Sequence, residues 1–129
     1  MPQIEIRPAA LEDTPLLAAL DHDYETTHVW RLEPLTEDDI TAVGFREVRL
    51  PRPLRVVYPR VRHDLLPEWS HYDLVIAAVL ANELVGYLAL SEHLAPNAAW
   101  VTDLVIAPQV RRQGIGSALL LAAQGWAAQ

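Results

Sequence analysis

Apolar and polar positions alternate in "IEIR", Ile4 to Arg7, and the run stops at Pro8, a pattern that predicts a short edge strand. The next segment, "LEDTPLLAALDHDYE", predicts a helix: Thr14 is placed to cap it, Pro15 suits its first position, and Leu16, Leu17, Leu20 and Tyr24 recur at helical spacing. Glu33 to Asp39 reads as an acidic loop, and Thr36 ahead of Glu37, Asp38 and Asp39 predicts a second, short helix ending near Gly44. Phe45 to Leu50 and Leu54 to Tyr58 are β-prone pieces around "PRP", and their prolines confine them to an edge or a ribbon, an irregular arm. The strongest hairpin pattern joins Asp73 to Val79 with Leu84 to Ser91 through "LANE", where Asn82 tolerates a left-handed turn. Ala98 to Ala107 predicts a third long strand, stopped by Pro108. Ile115 to Ala128 predicts a helix with Ile115, Leu119, Ala122 and Trp126 on one side. The order implies an α/β or α+β fold with a mainly antiparallel sheet.

Between the last strand and the last helix lies "RRQGIGS", Arg111 to Ser117. A helix N-terminus leaves backbone N–H groups without intrahelical acceptors and carries the positive end of the helix dipole, so it attracts anions. Glycines let a ligand approach the backbone, arginines add charge, and Ser117 adds a hydroxyl. Phosphate or pyrophosphate is the natural ligand. The plainer reading is that the glycines merely make a tight strand-to-helix turn. A Walker loop is excluded because the chain has no lysine, and a dinucleotide fingerprint would need a small residue where Leu119 stands.

Composition narrows the chemistry further. A chain of 129 residues, 51% hydrophobic and 21% charged, suits one globular domain over residues 1–129. With no cysteine there is no disulfide, thiolate nucleophile or thiolate-held metal; with no lysine there is no Schiff-base catalyst. The net charge of −7 argues against nucleic acid as a partner. Apolar runs such as Leu74 to Ala81 are too short to span a membrane and the start "MPQIEIRP" is polar, so a cytoplasmic location is expected. Six arginines and one acid between Arg46 and Arg62 sum to +5 and leave −12 on the remainder of the −7 total. That stripe suits either an acidic partner or a solvated strand face.

"LVIAPQVRRQGIGSALL" resembles the signature of the GNAT superfamily of acyl-CoA N-acyltransferases, with Arg111, Gly114 and Gly116 at its defining positions and Pro108, Ile115 and Leu119 in agreement. The hairpin "LVIAAVLANELVGYLALSEH" and the opening "IEIRPAALEDTPLL" resemble the family's earlier elements in order; the likeness is weak from Phe45 to His71. The resemblance implies a GNAT-like sheet flanked by helices, and acetyl-CoA as co-substrate. It places the coenzyme A pyrophosphate on Gln113, Gly114, Ile115, Gly116 and Ser117 beside Arg111 and Arg112. It also implies that the pantetheine arm pairs with the backbone of Leu104, Val105 and Ile106, as an added strand would. A primary amine would attack the thioester directly.

Asp103 is the first candidate for the base or amine-orienting carboxylate, with Glu92 and His93 next; a solvated acid on a strand is the plainer reading of each. His22, His28, His63, His71 and His93 lack metal-ligand spacing, so no metal is expected. Tyr24, Trp30, Tyr58 and Trp69 are candidates either for an acceptor pocket or for core packing. The family continues beyond the glycine turn and its helix with further strands and a helix. This chain is therefore expected to be a C-terminally truncated domain or a short form completed by a partner, and to form a homodimer through an exposed sheet edge. A non-catalytic coenzyme-binding or assembly module is the alternative to an N-acetyltransferase.

Overall fold

A computed structural model describes residues 3–59 and 71–129. Arg62, His63 and Trp69, named above, lie outside them. Contacts divide the chain into two units, Met1–His22 with Pro59–Gln129, and Asp23–Tyr58. Among the described residues no helix is long and apolar enough to cross a membrane.

The first unit is a four-stranded antiparallel sheet covered by helices. Strands β1 (Ile4–Pro8), β4 (Leu74–Leu80), β5 (Glu83–Ser91) and β6 (Trp100–Ile106) lie in the order β1-β4-β5-β6. The predicted edge strand, hairpin and third long strand are therefore all present. Ala81 and Asn82, which join β4 to β5, both have positive φ (51° and 64°), the backbone of a two-residue turn matched to strand twist. Ile76, Ala78, Leu88 and Leu90 pack against Ile115, Leu119 and Ala123 of α2 (Ile115–Ala127). Leu88, Leu90 and Leu119 are at most 1% exposed, and burying each stabilises the fold by roughly 1.5–3 kcal/mol. The inward position on α2 is Ala123; Ala122, expected there, is exposed.

Helix α1 (Thr14–Ala18) is much shorter than its sequence predicts and starts one residue early, after a 3-10 turn at Leu11–Asp13. Thr14 is its first residue rather than its cap, and its hydroxyl donates to the Leu11 carbonyl. Beyond the helix His22 Nδ1 binds the Leu20 carbonyl, an acceptor that a continued helix would need for its own backbone. Leu17 is fully buried, whereas Leu16 points outward and Tyr24 belongs to a strand.

At the head of α1, Asp13 accepts two hydrogen bonds from Arg7 at 2.7 and 3.2 Å and one from the Ala10 N–H at 2.7 Å. The Arg7 hydrogen bond, reinforced by that of Ala10, holds the Asp13 carboxyl below the ordinary aspartate value. A depressed carboxylate contributes stability that is present above the unfolded value near pH 4 and lost as pH falls through the folded one. Asp13→Asn is therefore expected to cost about 1–2 kcal/mol at pH 7 and to flatten the pH dependence of urea unfolding below about pH 4. An unchanged slope in that range would remove the pair from the account.

The second unit corrects the sequence reading most. Strands β2 (Tyr24–Glu37) and β3 (Ile40–Val56) form one long antiparallel ribbon instead of a helix near Thr36 and an irregular arm. Glu37 pairs with Ile40, so Asp38 and Asp39 make a two-residue turn, with Asp38 at φ 53°. Pairing runs through Leu32 with Phe45 and Pro34 with Val43, and slips once between Thr26 and His28. The confinement of the Pro51 and Pro53 segment to a ribbon agrees with expectation. Arg46 binds Glu33 at 2.8 Å and Arg55 binds Asp23 at 3.3 Å, so part of the arginine stripe neutralises acids of the ribbon itself.

Candidate functional site

The site begins at the free edge of β6. Among the described residues β6 has one neighbour, β5, with Gly86 opposite Ile106, Tyr87 opposite Val105 and Leu88 opposite Leu104. The Ala107 N–H points back to the Val85 carbonyl at 2.7 Å. Because alternate residues send their N–H and C=O groups to opposite sides of a strand, Val105 turns its backbone toward β5, and Leu104 and Ile106 turn theirs outward. Of the three residues expected to meet a pantetheine arm, two thus offer backbone groups at the edge. The Ile106 carbonyl already accepts a hydrogen bond from Arg111 Nε at 2.7 Å.

Beyond β6 the chain makes a 3-10 turn at Pro108–Val110, and Arg112 (φ 67°) and Gly114 (φ 86°) then adopt the left-handed conformation. Gly114 caps α2 with no side-chain hydrogen bond, and the first helical bond runs from the Ala118 N–H to the Gly114 carbonyl at 3.0 Å. The N–H groups of Ile115, Gly116 and Ser117 therefore precede the hydrogen-bonded ladder and lack intrahelical acceptors. A Cβ built on Gly114 or Gly116 meets nothing within 4 Å. For Gly114 the positive φ explains the residue type; for Gly116 neither crowding nor φ does. Arg112, Gln113 and Ser117 are exposed around this N-terminus.

Arg111 is placed differently from Arg112. Its guanidinium bridges the Ile106 carbonyl and, at 3.0 Å, the Asp21 carbonyl, ninety residues away in sequence. Asp103 is 4% exposed and accepts a hydrogen bond from the Thr102 hydroxyl at 3.0 Å; it lies opposite Ala89 and on the same side of β6 as Val105. Glu92 and His93 lie just past the end of β5, both exposed, with the Glu92 N–H and His93 Nδ1 on Asp73 Oδ2 at 2.6 and 3.2 Å. They belong to a different cluster from the glycine turn. Tyr24 and Trp30 are exposed on the ribbon, at 51% and 67%.

The sequence reading missed one polar pair. The His22 ring is 5% exposed, with Nε2 2.8 Å from the Tyr87 hydroxyl and Nδ1 2.6 Å from the Leu20 carbonyl. Nothing local announces it, because 65 residues separate the partners and Tyr87 reads as one more apolar strand position.

An antiparallel sheet whose open edge strand passes through a glycine turn into a helix N-terminus with no side-chain cap leaves backbone N–H groups in an arrangement that suits an anion. The sequence model described as the acetyltransferase (GNAT) family matches residues 38–129, a span that includes β6, the glycine turn and α2. The chain belongs to that family. Its fold is similar to that of nourseothricin acetyltransferase, at 24% identity and a TM-score of 0.78, over 97% of this chain and 66% of that one. It is also similar to a putative streptothricin acetyltransferase from Bacillus anthracis solved with acetyl coenzyme A, at 18% identity and a TM-score of 0.70, over 98% and 66%. A third similar structure is the PaiA N-acetyltransferase of Thermoplasma acidophilum in complex with coenzyme A, at 18% identity and a TM-score of 0.58, over 98% and 72%. The chain thus spans 66% of the length of the first two. No protein of curated function matches the sequence significantly.

Proposed function

We propose that this chain forms the coenzyme-binding part of an N-acetyltransferase, which takes acetyl-CoA and transfers the acetyl group to a primary amine. The observation that carries the reading is the open N-terminus of α2 beside the free edge of β6, within the span that matches the family. In this reading the pyrophosphate lies on the amides from Gln113 to Ser117, with Arg112 supplying the nearest mobile charge. The pantetheine arm lies along β6 at Leu104 and Ile106, where an outward N–H polarises the thioester carbonyl.

The acceptor amine attacks the carbonyl carbon, and the tetrahedral oxyanion collapses with loss of coenzyme A thiolate. The acceptor nitrogen, cationic in solution, gives up one proton before attack to free its lone pair and a second as the amide forms; one passes to the leaving thiolate and the other to solvent. Asp103 is our candidate for receiving the amine proton or orienting the amine, with Glu92 as the second choice. The acceptor we propose is an amine that is cationic in solution, because the net charge of −7 attracts such a molecule, and nourseothricin and streptothricin, after which two similar acetyltransferases are named, are the first to try. We also propose a homodimer through the N-terminal end of the β6 edge, clear of the pantetheine stretch at Leu104 and Ile106, where exposed Trp100 adjoins Val101, which with Leu90, Ala99, Leu120 and Ala127 lines an apolar groove.

The test is acetyl-CoA turnover, followed as thiol release, against nourseothricin, streptothricin and simple polyamines. Asp103→Asn, which keeps shape and the Thr102 hydrogen bond, is expected to lower kcat by roughly 100-fold with little change in coenzyme affinity. Full activity in the variant would move the role to Glu92 or to another group.

A further inference from the structure

Arg111, His22 and Tyr87 close a ring through the backbone. Tyr87 on β5 stands opposite Val105 on β6; the neighbouring Ile106 carbonyl holds Arg111; Arg111 holds the Asp21 carbonyl; and His22, the next residue, returns to Tyr87. A carbonyl only accepts, so His22 Nδ1 carries the hydrogen shared with Leu20, and in the neutral ring Nε2 accepts the Tyr87 O–H. Two adjacent backbone carbonyls, Leu20 and Asp21, are thereby gripped from two sides, one by the β5 pair and one by the coenzyme turn. His22 and Tyr87 are buried and the two gripped carbonyls belong to consecutive residues, so a shift of the backbone at one grip displaces the other.

We infer that Arg111 and the His22–Tyr87 pair are positioning residues, which use the Leu20–His22 segment as a strut to hold the glycine turn in its binding shape before the coenzyme arrives. Arg111 then serves the pyrophosphate by fixing the turn, and Arg112 serves it by charge. The effect on coenzyme affinity rests on the proposed function, whereas the strut itself is a property of the free protein.

The experiment is amide hydrogen exchange on the ligand-free chain, paired with a coenzyme A titration. Val110 and Ala118 report the turn, since their N–H groups bind the Ala107 and Gly114 carbonyls; Ala9, bound to Val75 at the far edge, is the control. Tyr87→Phe, which deletes only the hydroxyl, and Arg111→Met are each expected to speed exchange at Val110 and Ala118 about tenfold and to leave Ala9 unchanged. The double variant is expected to add nothing beyond Arg111→Met, because both act through one strut. Unchanged exchange in Tyr87→Phe, additive effects, or an equal rise at Ala9 would each overturn the strut. Coenzyme affinity should weaken in parallel. A parent chain that binds no coenzyme A would sink the proposed function, and the exchange result would still decide the strut.

Discussion

Replacing Gly116 with leucine is expected to weaken coenzyme A binding by roughly 100-fold or more, about 2.7 kcal/mol, while leaving the fold intact. The fold does not require glycine there. Its φ is not positive, a Cβ would enter open space, and the position is the second residue of α2, where leucine is the better helix former. Thermal unfolding should therefore be unchanged or raised by up to about 1 kcal/mol. The leucine side chain would occupy the space beside the Ile115, Gly116 and Ser117 amides that an anion needs. Undiminished affinity in a folded Gly116→Leu protein would mean that the pyrophosphate lies elsewhere.

Gly86 presents the opposite case, a glycine demanded by the fold. A Cβ at this position would come within 2.7 Å of the Val105 carbonyl oxygen and 2.8 Å of Ile106 Cδ1, across the β5–β6 pairing. The first of these is backbone and cannot swing aside. Gly86→Val is expected to destabilise the protein by about 3 kcal/mol and to lower its Tm by roughly 10 °C. The strain falls on Ile106, whose carbonyl anchors Arg111, so surviving folded protein should also bind coenzyme more weakly. A Tm within about 2 °C of the parent would show that β6 yields without cost at its functional edge.

These two glycines also mark what the sequence discloses. The hairpin from Leu74 to Ser91, the strand ending at Ile106 and the helix from Ile115 are legible because each is a long run of one period bounded by a turn residue or a proline. The glycine turn is legible as a strand-to-helix turn because Gly114 supplies the left-handed backbone that lets the chain enter α2 at Ile115. The ribbon is not. Thr36 with three acids after it carries the composition of a helix start, yet Asp38 and Asp39 equally suit a tight turn, and the cross-strand partners from Tyr24 to Val56 decide between them. The early end of α1 is hidden for a similar reason: His22 takes the Leu20 carbonyl with one ring nitrogen while the other is held by Tyr87, 65 residues away, a partner that only the folded chain brings near. Arg111 shows the same limit inside the site, since its motif position suggests an anion ligand while its contacts are two backbone carbonyls.

The central claim is that the amides at the start of α2 receive the coenzyme A pyrophosphate. Its most direct test is a titration of the isotope-labelled chain with coenzyme A, read residue by residue at the backbone amides. Saturable shifts are expected to be largest at Gln113, Gly114, Ile115, Gly116 and Ser117, with smaller ones along Leu104 and Ile106, and 3′-phosphoadenosine 5′-diphosphate, which keeps the pyrophosphate but lacks the pantetheine arm, should reproduce only the first group. Coenzyme binding that leaves the Gly114 to Ser117 amides unmoved, or no binding at millimolar coenzyme, would contradict it.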